Sequence, residues 1–234
     1  MENKKAILYS YYTIRKAIGI LGILLPFILV ISYGDFLASI SHYYYSKSAV
    51  FFISIITAFG LFLISYKGYE RDKKSEKLSD NQITHIGGFA ALLVVLFPTS
   101  CEGSNSIEIC DACLLHNYPL YGHDSSIINF IHLLSAGIFL FIMGWMSVFR
   151  FTKGEKTPEK KRKNIVYKAS GYMIWISIGF LLVEFIIDFH ITGYDVLILE
   201  VISVFSFAIS WLIKGEAIKD LIGLKKLVIR GNKG

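Results

Sequence analysis

Charge is what this sequence has least of. Asp, Glu, Lys and Arg make up 18% of its 234 residues, against about 25% in ordinary soluble domains. With 54% hydrophobic residues and a mean hydropathy of +0.54, too little polar side chain remains to cover a water-soluble domain of this length. Proline is scarce at four residues, and only Pro26 falls in the middle of an apolar run. The matched pairs of Pro/Gly-broken helices that mark many transporter sites are therefore missing. There is no internal repeat, no low-complexity segment and no tight metal-binding motif. Cysteine is limited to three, an odd number that cannot all pair within one chain. No small-residue cleavage site follows the first apolar run, so that run is expected to stay as a membrane helix.

What the chain does have is long apolar segments. Six stand out: Ala17–Tyr33, Ala49–Tyr66, Ile86–Pro98, Ile127–Phe149, Val166–Ile187 and Val196–Ile213. They are too long and too unalternating for barrel strands, so they are read as transmembrane helices. The third is short for a hydrocarbon core of about 30 Å. It is expected to start earlier, near Gln82, or to be tilted or shielded.

The basic residues orient the chain. With the N-terminus inside, 23 of the 24 Lys and Arg fall in inner segments, and only Lys47 lies outside. This is the positive-inside pattern. The formal charge of +6 thus reports topology and attraction to anionic headgroups on the cytoplasmic face, not nucleic-acid binding. Tyr43, Tyr44 and Tyr45 are expected as an aromatic belt at the outer interface. Gly87 and Gly88 are expected to permit close helix packing. The resulting expectation is an all-α, polytopic protein of the bacterial inner membrane. It has six transmembrane helices (residues 1–213), an extracytoplasmic cysteine loop at 99–126, and both termini in the cytoplasm. Residues 214–234 form a basic amphipathic tail that suits a helix lying on the inner surface.

The cysteine loop has Cys101, then Cys110-x-x-Cys113, then His116, a spacing that also echoes a zinc knuckle. Outside the cytoplasm thiols oxidise, so a disulfide from Cys101 to Cys110 or Cys113 is the preferred reading. A second group of residues is harder to place. Glu184, Asp188, His190 and Glu200 lie in or beside the last two spans, His132 lies near the start of the fourth, and His42 just before the second. All fall at the level of the outer leaflet. Ionisable residues in a span are rare and mark function by default. Three readings compete. His42, His132, Asp188 and His190 would ligate Zn2+ with Glu184 as general base, giving a metal-dependent hydrolase acting on a lipid or amphiphile. The carboxylates and histidines would instead relay protons or a cation in a transporter of a small solute. Or each group makes a structural hydrogen bond in a non-catalytic membrane subunit or sensor.

The phrases "SISHYYYS", "YKGYERD", "LFPTS", "IHLLSAGIFLF" and "KNIVYKASGY" occur in this order between about Ile14 and Tyr172. Together they resemble a family of bacterial six-span membrane proteins of unknown function, which implies the architecture and no activity. A remoter likeness, carried by Ser41, His42, His132, Asp188 and His190, is to the alkaline ceramidase and adiponectin-receptor-like membrane hydrolases. That likeness implies a serine, an aspartate and histidines around zinc.

Overall fold

The computed structural model describes residues 2–66, 68, 78–101, 103–114, 125–155, 157–187 and 191–217, with side chains from residue 12 onward. Among these the chain is all helical, with no strand. Seven α-helices follow one another: α1 Glu2–Tyr33, α2 Ala49–Ser65, α3 Asp80–Leu96, α4 Ile107–Leu114, α5 Ser126–Trp145, α6 Pro158–Ile187 and α7 Asp195–Lys214. Four segments are long and apolar enough to cross a membrane: Tyr12–Tyr33, Ser126–Arg150, Pro158–Ile187 and Asp195–Lys214. Large apolar side chains such as Ile31, Ile127, Phe185 and Ile186 are exposed on the outer surface of the bundle. Serines, by contrast, fill the contacts inside it, including Ser170, Ser177, Ser203 and Ser210. This inverted distribution suits a hydrocarbon solvent, and the chain is a multi-pass membrane protein.

The main helices close into a ring in chain order. α1 packs on α2, α2 on α3, α3 on α5, α5 on α6, α6 on α7, and α7 returns to α1. α2 and α3 have 17 residues each, so each is only about 25 Å long at 1.5 Å per residue. They approach backbone to backbone. A Cβ added to Gly88 would lie 2.6 Å from the Gly60 carbonyl oxygen. Gly87 likewise admits Ile142 of α5, whose Cγ2 would be 2.7 Å from an added Cβ. The expected role of these glycines in close packing is met.

α3 begins at Asp80, six residues before the apolar run read from the sequence. A capping box explains the difference. Ser79 Oγ accepts the Gln82 N–H at 3.2 Å and Gln82 Oε1 accepts the Ser79 N–H at 2.9 Å. Two orphan N–H groups are thereby satisfied, and the polar residues Asp80 and Thr84 are drawn inside. Asp80 meets Arg150 there, Oδ1 to Nε at 2.8 Å, with side-chain exposures of 1% and 6%. Arg150 closes a π-helical turn, Met146–Arg150, at the end of α5. The wider turn rotates the residues that follow it, as π-bulges do. Near this level Trp211 is buried edge-on among Phe62, Tyr66 and Phe151, with ring centroids 4.9–5.5 Å apart.

Candidate functional site

α1 stops at Gly34, whose φ of +98° is the left-handed conformation open to glycine. Its N–H closes on the Val30 carbonyl at 2.7 Å. The chain after it turns back into the end of the bundle, where Leu37–Ser46 are buried. Tyr43 Oη clamps this return, accepting the Leu37 N–H at 3.2 Å and donating to the Asp35 carbonyl at 2.9 Å. A 3-10 turn, Ser41–Tyr45, follows. Tyr43, Tyr44 and Tyr45 are 0%, 3% and 2% exposed, so the expected aromatic belt is corrected. These rings form the core of an inward plug. Tyr45 donates to the Thr99 carbonyl, and Tyr33 meets the Tyr43 ring edge-on. The alternative pattern, three tyrosines at a water interface, left out the hydrogen bonds that make burial of their hydroxyls affordable.

The plug is stitched to three later elements. Ala38 N–H donates to Asn105 Oδ1 at 3.0 Å. On the α7 side, Leu197 N–H donates to the Ala38 carbonyl at 2.9 Å and Ile40 N–H donates to Glu200 Oε2 at 2.6 Å. On the α5 side, Ser41 Oγ lies 3.0 Å from His132 Nε2. The other nitrogen of that ring fixes the chemistry. His132 Nδ1 lies 2.7 Å from the Phe97 carbonyl and 3.2 Å from that of Val94, both acceptors at the end of α3. Nδ1 must therefore carry the proton, which satisfies carbonyls that the helix end would leave orphaned. In the neutral ring Nε2 then holds a lone pair directed at the Ser41 hydroxyl. Asn129, one turn earlier on α5, fixes the same loop by accepting the Ser100 N–H at 3.0 Å and the Thr99 hydroxyl at 3.2 Å. The result is a buried serine–histidine pair with an oriented base, the relation on which nucleophilic serine chemistry depends.

The other site residues read from the sequence divide. Glu184 of α6 is buried and faces the bundle, near enough to Glu200 of α7 for their charges to interact. The described contacts of His132 are to Ser41, Phe97 and Val94, so the structure does not bring Glu184 onto it. Among the described contacts, Glu200 and His132 are linked through the adjacent plug residues Ile40 and Ser41. His42 is buried in the same 3-10 turn, its N–H donating to Ser39 Oγ at 3.1 Å. Asp188 and His190 lie outside the described residues, as do His116, His123 and the tail from residue 218. Among the described residues no three His, Cys, Asp or Glu side chains gather as a metal-ligand set. Both ring nitrogens of His132 are engaged by protein groups, and of the other proposed zinc ligands only His42 lies within the described residues. No disulfide joins Cys101, Cys110 or Cys113. Instead the Cys110 thiol donates to the Cys101 carbonyl at 3.5 Å and lies beside the Cys101 thiol, while Cys113 is buried against Tyr45. Burial and the neighbouring thiol push the Cys110 thiol above its ordinary pKa.

This chain matches no protein-family profile, no curated protein and no solved structure. Its chemistry is therefore argued from its own geometry. Sequence reasoning had singled out Ser41 and His132 but not their pairing, which spans 91 positions. It missed Asn105 and Asn129, polar loop and helix-start residues with nothing in their spacing to mark them.

Proposed function

We propose that this is a six-span inner-membrane protein, termini in the cytoplasm, whose outward end carries a serine hydrolase or acyl-transfer site for a lipid or amphiphilic ester or amide. The observation that carries the reading is the Ser41–His132 pair, with Nδ1 held by the Phe97 carbonyl and Nε2 aimed at the hydroxyl. Ser41 Oγ attacks the acyl carbonyl carbon and its proton passes to His132 Nε2. The imidazolium so formed keeps its Nδ1–H on the Phe97 carbonyl. His132 then returns the proton to the leaving alcohol or amine, and water attacks the acyl-serine by the same route. The burial of the pair among apolar helices supports a membrane-borne substrate over a soluble one. Of the two hydrolase versions, the serine version uses contacts already made. The zinc version needs His132 to leave Ser41 or Phe97.

Glu184 beside Glu200 favours a second reading, proton or cation handling between α6 and α7. One set of membranes separates the two. A fluorophosphonate with an alkyl tail should label the full-length protein at Ser41, with labelling lost in Ser41→Ala and His132→Gln. Retained labelling in Ser41→Ala, or none in folded wild type, refutes the serine reading. Proton uptake into proteoliposomes that Glu184→Gln and Glu200→Gln abolish, and Ser41→Ala spares, puts transport in its place. If Ser41→Ala only lowers thermal stability, the pair is a structural tie.

A further inference from the structure

We propose that Asn129 is a positioning residue for the Ser41–His132 pair, holding the Phe97 carbonyl where it keeps the His132 proton on Nδ1. The role rests on the serine reading above. The need for it begins at Pro98. In a continuing helix the N–H of residue 98 would close on the Val94 carbonyl, but proline has no N–H. α3 ends there, with Phe97 extended at φ −113° and ψ 99°, and the Val94 carbonyl is left for another donor. His132 Nδ1 supplies it at 3.2 Å and meets the Phe97 carbonyl at 2.7 Å. An imidazole without such acceptors shares its proton between its two nitrogens. A ring protonated on Nε2 would donate to Ser41 Oγ and could not take its proton. The base therefore works for as long as the Phe97 carbonyl stays in place.

The segment after α3 is held by its neighbours. Thr99 and Ser100 are buried, so their polar groups need partners. Asn129 Oδ1 accepts both the Ser100 N–H at 3.0 Å and the Thr99 hydroxyl at 3.2 Å, using the two lone pairs of one amide oxygen. The Tyr45 hydroxyl donates to the Thr99 carbonyl. Asn129 and His132 stand three residues apart on α5, so they share a helix face. Phe97 and Ser100 stand three residues apart along the segment they meet. α5 thus grips the segment at two points, Asn129 on Ser100 and His132 on Phe97. The grip at Asn129 sets where the Phe97 carbonyl lies against the ring. The described side-chain hydrogen bonds of Asn129 go to this segment, so it acts on the base through the backbone of residues 97–100.

Two measurements on the full-length protein in detergent test the role. The first is inactivation by an alkyl fluorophosphonate, with the rate separated into kinact and KI. Asn129→Ala is expected to lower kinact about tenfold or more and to leave KI within about twofold, because a misplaced base slows the step without touching tail binding. Asn129→Asp keeps the acceptor oxygen and should restore most of kinact. Thr99→Val removes one of the two bonds to Asn129, so it remains readable if Asn129→Ala does not fold, and it should lower kinact in smaller degree. The second measurement is 15N NMR of ring-labelled histidine with the ring neutral, His132 being assigned by comparison with His132→Gln. Wild type and Asn129→Asp should carry the proton on Nδ1, and Asn129→Ala should move part of the population to Nε2. If Asn129→Ala lowers thermal stability but leaves kinact and the tautomer of the folded protein unchanged, the residue is a structural tie and the proposal is overturned. A loss in Asn129→Asp equal to that in Asn129→Ala overturns it too. If folded wild type does not react, the serine reading fails by itself, and the tautomer then decides the role of Asn129: a proton on Nδ1 in wild type and Asn129→Ala alike overturns it.

Discussion

Replacing Asp80 by Asn removes one charge from an ion pair that is almost wholly shielded from solvent. In the native protein the Arg150 Nε–Asp80 Oδ1 distance is 2.8 Å, at side-chain exposures of 6% and 1%. Among its described contacts Arg150 then keeps the Leu78 carbonyl at 3.4 Å and the Trp145 ring at 5.5 Å. Breaking a buried pair from one side costs about 3–5 kcal/mol, mostly the burden of a cation left buried without its counter-ion. Asn still offers a carbonyl oxygen, so about 3 kcal/mol is expected for it, and more for Asp80→Ala. Removing both charges should cost far less, because packed apolar side chains of similar volume are close to neutral in such positions. The double variant Asp80→Leu/Arg150→Met is therefore expected near wild type, so the coupling across the cycle should approach the sum of the two single losses, about 6 kcal/mol. Titration of the detergent-solubilised protein with SDS, followed by far-UV circular dichroism, measures it. Single variants within about 1 kcal/mol of wild type, or a double variant equal to the sum of the singles, would show that the pair is an ordinary surface contact and refute the argument.

Four further outcomes are expected. A reporter inserted near Gly103 and another after Gly234 should lie on opposite sides of the membrane, and a cytoplasmic Gly103 would reverse the proposed orientation. Gly88→Ala drives a Cβ to 2.6 Å from the Gly60 carbonyl oxygen and should cost about 1–3 kcal/mol, the usual penalty of overpacking, measured by the same titration; an unchanged midpoint would show that α2 and α3 can part freely. Because the Cys110 thiol is held above its ordinary pKa, its thiolate forms only at higher pH, and alkylation of reduced protein should rise through a pH range above that of an exposed cysteine; a rate equal to that of a model thiol would contradict the burial. The Cys101 and Cys110 thiols lie side by side without a disulfide, so mild oxidation should protect them from alkylation together, and three thiols still reactive afterwards would show that they are not neighbours.

The helices were legible because lipid demands long apolar segments, and the ends were less so. α3 starts at Asp80, two residues before the expected Gln82, because the reciprocal Ser79–Gln82 hydrogen bonds outweigh the polarity of Asp80. The three tyrosines after α1 read as interfacial by composition alone; the partners that Asp35 and Leu37 supply to Tyr43, and Thr99 to Tyr45, make an inward position tolerable. For the site, hydropathy marked Glu184, Glu200 and His132 as out of place. It could not say which neighbour each would meet, since that depends on the order in which helices pack around the ring. Arg150 was counted as one more basic residue at the membrane edge. Its inward turn depends on the π-helical step before it, and such a step has no composition of its own.

The plug also sets an order of events during synthesis. Ile40 reaches Glu200 across 160 positions, and Ser41 reaches His132 across 91. At about 5–20 residues per second, Ile40 emerges roughly 8–30 s before its carboxylate acceptor exists. Through that interval the cap is unfinished, and α1 has one flank open because its second ring neighbour, α7, comes last. Until α7 inserts, the half-built bundle exposes a backbone segment with unmet hydrogen bonds and a helix face with no mate. A nascent chain stalled before Glu200 is thus the natural substrate for membrane chaperones or quality-control proteases, and release from them becomes a single late step that the closing helix performs.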